Sequence, residues 1–251
     1  MARVVLVHGA FAGAWCWEPV IPELEAAGHD VVAIDLPGAG EDLTPVEEVT
    51  LDAYAERICE ALSEHAGQSM LVGHSMGGVA ITQAAARCTP KISLMVYVCA
   101  FLPQDGQSLI DLASQPEGAD DQIQANMVVE GDPPVAHLPP EATRDAVYNC
   151  CTEEQAAWGI ERRRPMAVIP FATPVSLGDS GAAQIPRVYV HCAQDHSIPP
   201  ALQRRMVRES PCQEVVELDT DHSPYLSKTS ELAAALKRWA MESEAISQAS
   251  L

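Results

Sequence analysis

Apolar residues in this chain fall into short runs separated by stretches with helical spacing. Val4 to Val7 is one such run, opening on His8-Gly9-Ala10, and Asp30 to Leu36 is a second, closed by Pro37-Gly38. Short runs bounded by turn residues predict buried strands. Between them, Trp17, Val20, Ile21 and Leu24 recur at helical spacing over Ala14 to Ala27, and Gly28 supplies a C-terminal stop. The alternation continues with a helix near Leu51 to His65, a strand Ser69 to Gly73, a helix Met76 to Arg87 and a strand Ile92 to Cys99. Strands alternating with helices predict an α/β fold, with a mostly parallel sheet covered on both faces.

After Phe101 this rhythm stops. From Leu102 to about Pro186 the chain is rich in proline and acid, with a hairpin expected around Gly131-Asp132-Pro133-Pro134 (Asn126 to Glu130, Val135 to Leu138). Short helices are expected near Glu141 to Cys151 and Glu153 to Arg163. The β-α rhythm returns with a strand Arg187 to Cys192, a helix Pro200 to Glu209, a strand Glu214 to Leu218 and a last helix Pro224 to Met241. Residues 1–101 and 187–251 therefore predict one core, and 102–186 an insertion.

Composition narrows the function. The 251 residues carry a formal charge of -20, and 47% are hydrophobic. Such acidity repels phosphate backbones, so nucleic acid is not an expected partner. No apolar run reaches the roughly 18 residues that span a bilayer, and the N-terminus shows neither h-region nor cleavage site, so a soluble, cytoplasmic protein without a membrane partner is expected. The eight cysteines show no zinc spacing, and adjacent Cys150 and Cys151 cannot form an ordinary disulfide. The expectation is eight reduced thiols and no metal or cofactor. A homodimer is admitted, although no residue pattern argues for one.

The strongest chemical signal is Gly73-His74-Ser75-Met76-Gly77-Gly78, a G-x-S-x-G between a predicted strand and a predicted helix. On that sharp turn a serine hydroxyl is presented at the carboxyl edge of the sheet. It needs a base, and a third group to orient the base. His222 is the expected base, since among eight histidines only it sits in the loop after the final predicted strand. His8 is expected to shape the loop after the first strand, His74 to face away from substrate, and His196 to border the pocket mouth. Asp195, ending the strand that starts at Arg187, is the expected acid. Asp219 and Asp221 flank His222 too closely in sequence to reach its Nδ1 and are read as turn-ordering carboxylates. The oxyanion should meet the backbone N–H groups of Ala10 and Met76.

The segments LVHGAFAGAWCW (Leu6 to Trp17), AIDLPGAG (Ala33 to Gly40), VGHSMGG (Val72 to Gly78), AQDHSIPPALQR (Ala193 to Arg204) and TDHSPYLSKTSEL (Thr220 to Leu232) resemble α/β-hydrolases, specifically the plant methylesterase and hydroxynitrile lyase group with its bacterial relatives. The resemblance implies an α/β-hydrolase fold with 102–186 as its cap, Ser75, His222 and Asp195 as a triad, and Ala10 and Met76 as oxyanion donors. It also raises a rival. Lyases of this group carry threonine after the first-strand histidine, glutamate before the nucleophile and lysine after the catalytic histidine, where this chain has Gly9, His74 and Ser223.

The expectation is a serine carboxylesterase acting on a small neutral ester, methyl or aryl/alkyl, with a hydrophobic acyl group. A lyase, or a hydrolase-fold ligand receptor with little turnover, are the alternatives. Candidates for the substrate pocket are Phe11, Phe101, Leu109, Met127, Tyr148, Trp158 and Ser223, with Val129 and Met166 beside them. Arg162-Arg163-Arg164 is read as a basic run complementing a helix end.

Overall fold

This computed structural model describes residues 1–249. In chain order, β1 (Arg3–Val7) is followed by α1 (Ile21–Glu25), β2 (Asp30–Ile34), α2 (Leu51–Ser63), β3 (Ser69–His74), α3 (Gly77–Cys88) and β4 (Ile92–Val98). The inserted segment holds α4 (Leu109–Ala113), α5 (Gln122–Asn126), β5 (Val128–Glu130), β6 (Val135–His137), α6 (Pro140–Val147), α7 (Glu153–Glu161), β7 (Met166–Ala167) and α8 (Ile169–Ala172). Then come β8 (Arg187–Cys192), α9 (Pro200–Glu209), β9 (Glu214–Leu218), α10 (Pro224–Ser227) and α11 (Thr229–Ala249).

Six strands form one parallel sheet in the order β2-β1-β3-β4-β8-β9. β3 and β4 are buried along their whole length, as apolar runs in a doubly covered sheet must be. Alternation along a strand divides the core in two. Val5, Val7 and Leu71 join the cluster under α2, α3 and α9, whereas Val4, Leu6 and Val72 join Trp17, Leu24 and Trp239 on the face covered by α1 and α11.

The expected hairpin is present as β5 and β6, and β7 adds a third antiparallel strand. The helix expected over 14–27 is broken into a 3-10 turn, Ala14–Trp17, and α1. Pro19 and Pro22 lack the N–H that a continuous helix would use, so α1 begins with Pro22 in its first turn. The last expected helix likewise divides, at Lys228. Among the described residues no helix is long and apolar enough to cross a membrane.

The expectation of eight reduced thiols is corrected. Cys59 on α2 and Cys88 at the end of α3 form a disulfide, their Cα atoms 5.9 Å apart. The two helices pack side by side and bring these residues together from 29 positions apart, a proximity that spacing alone does not reveal.

Candidate active site

The chemistry-bearing residues sit where strands end. His8 follows β1, Ser75 follows β3, Cys99 follows β4, Asp195 lies beyond β8 and His222 beyond β9. In an open parallel sheet the carboxyl edge is where ligands bind, because the loops there splay apart around the reversal in strand order. Here β1 and β3 are neighbours although α1, β2 and α2 separate them in the chain.

Ser75 has φ 54°, one of only three non-glycine residues with positive φ among those described. Its backbone is tied on both sides. The Ser75 N–H donates to Val98 O at 3.2 Å, and its carbonyl accepts from Gly78 N at 3.0 Å and Phe101 N at 3.1 Å. A left-handed conformation costs an ordinary residue about 1 to 2 kcal/mol and persists where its surroundings fix it. The flanking glycines make the turn sterically possible: a Cβ on Gly73 would lie 2.7 Å from Gly77 O, and one on Gly77 2.7 Å from His8 O.

Asp195 and His222 form a buried pair, with Nδ1 of His222 2.8 Å from Oδ2 of Asp195. Oδ1 accepts from Ser197 N at 2.7 Å and Ile198 N at 2.9 Å, and Gln203 Nε2 donates to Oδ2 at 3.0 Å, beside His222. A carboxylate so held can only accept, so Nδ1 carries the imidazole proton and Nε2 is left as the basic nitrogen. Burial, and after it the Arg163 cation, push His222 down to about 3, with Asp221 opposing. The imidazole therefore rests neutral. Asp219 is exposed and takes a hydrogen bond from the Gln194 amide. Asp221 instead accepts from Ser223 N, Ser227 Oγ and Cys150 N, ordering the His222 loop and tying the insertion to it.

His74 lies behind this pair. Its Nε2 donates to the carbonyl of His222 at 2.7 Å, its ring centroid is 4.7 Å from that of His222, and burial holds it neutral. His8 is also wholly buried. Leu36 N–H donates to its Nε2 at 3.1 Å, so Nδ1 bears the proton and donates to Gly9 O at 2.8 Å. This bond orients the Gly9–Ala10 peptide. The N–H groups of Ala10 and Met76 donate to no other group among the described residues.

Ser75 opens on an apolar cavity of about 190 Å³. Ala10 and Met76 line it, as do Phe11, Phe101, Leu109 and Met127 from among the pocket candidates. Three expected pocket residues stand elsewhere. Tyr148 is fully buried against Gly159, Trp158 packs edge-on against Trp15 at 5.2 Å, and Ser223 starts α10 with its hydroxyl on Tyr225. Val129 is exposed and Met166 holds Phe11 N–H rather than facing the cavity. His196 is not on this wall either but borders a separate acidic depression with Asp120 and Asp145. The residues that sequence reasoning missed include Ile123, Val168, Phe171 and Ile198, all brought in by folding of the insertion or of the loop after β8. Asp121 adds a buried carboxyl, pushed up to about 6 by burial against the hydrogen bonds it accepts from Gln124 and Ile123.

The basic run divides. Arg162 behaves as a helix-end residue, donating to Trp158 O at 2.9 Å and lying 4.5 Å over the Trp158 ring. Arg163 turns inward and donates to Ala10 O at 3.2 Å.

A parallel sheet with a strained serine elbow after β3 and an aspartate–histidine pair beyond its last two strands defines a recognisable class: the chain belongs to the alpha/beta hydrolase family, whose model matches residues 4–235. It is 32% identical to methylesterase 7 of Arabidopsis thaliana over 93% of this chain and 94% of that protein. Among solved structures it is similar to a pyrethroid hydrolase from Sphingobium faniae (TM-score 0.87, 28% identity, covering 95% of this chain and 97% of that one). It also resembles an Arabidopsis methylesterase (TM-score 0.81, 30% identity, 96% and 99% covered).

Proposed function

We propose that this protein is a serine carboxylesterase acting on small neutral esters. Its family and its relatives, named as methylesterases and a pyrethroid hydrolase, support the ester hydrolase class. The observation that carries the finer reading is Ser75, on a strained elbow at the wall of an apolar cavity, with the His222–Asp195 pair at the same sheet edge.

In this reading Ser75 Oγ attacks the ester carbonyl as Nε2 of His222 takes its proton. Asp195 holds the imidazole in the required tautomer and stabilises the imidazolium that forms. The Ala10 and Met76 N–H groups receive the oxyanion, each such donor being worth about 3 kcal/mol in related chemistry. His222 then gives the proton to the leaving alcohol, and water, activated by the same base, releases the acid from Ser75. Segment 102–186 serves as the cap that closes the acyl cavity. Its apolar lining suits a hydrophobic acyl group of modest size.

The lyase reading finds less support. A Cβ on Gly9 would lie 2.7 Å from Ser75 Cβ, leaving no room for threonine there, and His74 is committed to the His222 carbonyl. Ser223 is buried and offers no cation for a departing cyanide. The test is incubation with p-nitrophenyl acetate and with a fluorophosphonate, alongside mandelonitrile. Ester turnover with labelling at Ser75 is expected. No turnover and no label would end the proposal, and cyanide release without ester hydrolysis would favour the lyase.

A further inference from the structure

The loop after β1 is gripped peptide by peptide. The Gly9 carbonyl accepts from His8 Nδ1 at 2.8 Å. The next carbonyl, of Ala10, accepts from Arg163 Nη2 at 3.2 Å. Phe11 N–H points at Met166 Sδ, 2.7 Å away, and the Phe11 carbonyl accepts from Arg164 N at 3.1 Å. The first anchor belongs to the core, and the other three come from residues 163–166 of the insertion.

What they hold is a strained turn. Phe11 has φ 63°, a conformation that a bulky residue keeps only where neighbours impose it. Immediately before it stands the Ala10 N–H, without a partner among the described residues. A free donor next to three anchored peptides is a preorganised donor: it spends little reorganisation when negative charge appears before it.

Arg163 is an odd choice for mere packing. It is half-buried, its guanidinium carbon lies 5.3 Å over the Phe11 ring and 6.0 Å from the Tyr148 ring, and its Nε is buried without a partner. No carboxylate among the described residues forms an ion pair with it. A half-buried cation with no carboxylate partner and an unsatisfied Nε costs stability, and an apolar side chain would cover Phe11 without that cost. A cation beside the oxyanion loop stabilises negative charge that exists only during turnover.

We propose that Arg163 is a positioning residue of the oxyanion hole, so that segment 163–166 completes the reactive site as well as covering it. This rests on the esterase reading. The Arg163–Ala10 bond sets the direction of the loop, and Met166 and Arg164 lock the turn that follows.

The test compares the full-length protein with Arg163→Met, Arg163→Lys and Met166→Leu, using p-nitrophenyl acetate turnover and binding of an aryl trifluoromethyl ketone, which adds to serine as an oxyanion. Loss of one direct oxyanion donor typically costs 10²- to 10³-fold in kcat, so a residue acting through such a donor should cost about tenfold. Arg163→Met is expected to lower kcat by that factor with KM nearly unchanged, and to weaken the trifluoromethyl ketone in parallel. Affinity for the corresponding methyl ketone should hold. Arg163→Lys, which keeps the charge and a donor, should recover most of the loss.

A merely structural latch would lower the melting temperature and leave kcat and the ketone ratio alone, which would overturn the proposal, as would a change confined to KM. If Arg163→Met fails to fold, Arg163→Lys and Met166→Leu decide: unchanged kcat and ketone ratio in both would overturn it. A wild-type protein that neither turns over ester nor labels at Ser75 removes the esterase reading and this one with it. An active wild type with unaffected variants removes this one alone.

Discussion

Asp195 accepts hydrogen bonds from four groups, the Ser197 and Ile198 N–H, the Gln203 amide and His222 Nδ1, while Asp219 is exposed and accepts a hydrogen bond from the Gln194 amide. Their neutral isosteres should separate cleanly. Asp195→Asn is expected to lower kcat by about 10⁴, because the amide oxygen would stay on the Ser197 and Ile198 N–H groups and leave the amide NH2 facing Nδ1, a donor that favours the wrong tautomer. Asp219→Asn should change kcat by no more than about twofold, as surface substitutions away from the machinery do. Steady-state kinetics on both variants checks this, and a collapse confined to Asp219→Asn would mean that the acid is misassigned. The pH profile belongs to the same residues. His222 faces Asp195, Asp221, His74, Cys99 and the Arg163 cation, and its imidazolium is disfavoured from the ordinary 6.5 down to about 3. Base activity requires neutral imidazole, so kcat/KM should stay level as pH falls from neutral through 6.5 and drop only in more acid solution. Stability follows the same sign. The unfolded histidine takes its proton near 6.5 and the folded one at about 3, so unfolding binds a proton between those values and acidification across that window destabilises the fold. An acid limb of kcat/KM centred at the ordinary histidine value would contradict this.

At the scale of elements, α3 carries two functions at opposite ends. Its N-terminal turn presents Ser75, and its last residue, Cys88, is bonded to Cys59 of α2. Closing a loop of that length, 29 residues, restricts the unfolded chain and is worth about 3 to 4 kcal/mol on the entropic account. Cys88→Ser, or reduction with dithiothreitol, is therefore expected to lower the free energy of unfolding in urea by roughly this amount, with kcat nearly unchanged. Titration of eight free thiols in the untreated, denatured protein would show that the bond is not made. The elements themselves were read closely from periodicity: β8, α9 and β9 have the expected limits, because an apolar run or a helical stripe is a local property of consecutive residues. Boundaries failed where a covalent constraint interrupts the pattern, as at Pro19 and Pro22 before α1. The disulfide was not legible, since two helices decide it jointly.

For the whole molecule, the charge of -20 is divided between the parts. Residues 1–101 and 102–186 each carry 4 basic against 13 acidic side chains, and 187–251 carry 7 against 9. Residues 102–186, several of which line the Ser75 cavity, thus carry the same excess of acid as residues 1–101. Exposed charges are screened within about 10 Å at 0.1 M salt. For a monoanionic ester kcat/KM is expected to rise with added sodium chloride, whereas for a neutral ester of similar size it should stay flat; equal slopes for both would show that the acidic surface does not select substrates.

The sequence by itself determined the strand and helix alternation, the elbow at Ser75 and the chain order of serine, aspartate and histidine, because these depend on local backbone geometry and on which strand a residue follows. Tertiary structure alone decided the rest. It excluded Tyr148, Trp158 and Ser223 from the cavity, brought in Val168, Phe171 and Ile198, paired Cys59 with Cys88, and turned Arg163, but not Arg162, onto the loop after β1. Each of these is a contact between residues far apart in the chain, and side-chain direction across such a gap is set by packing of whole elements, which no local pattern encodes.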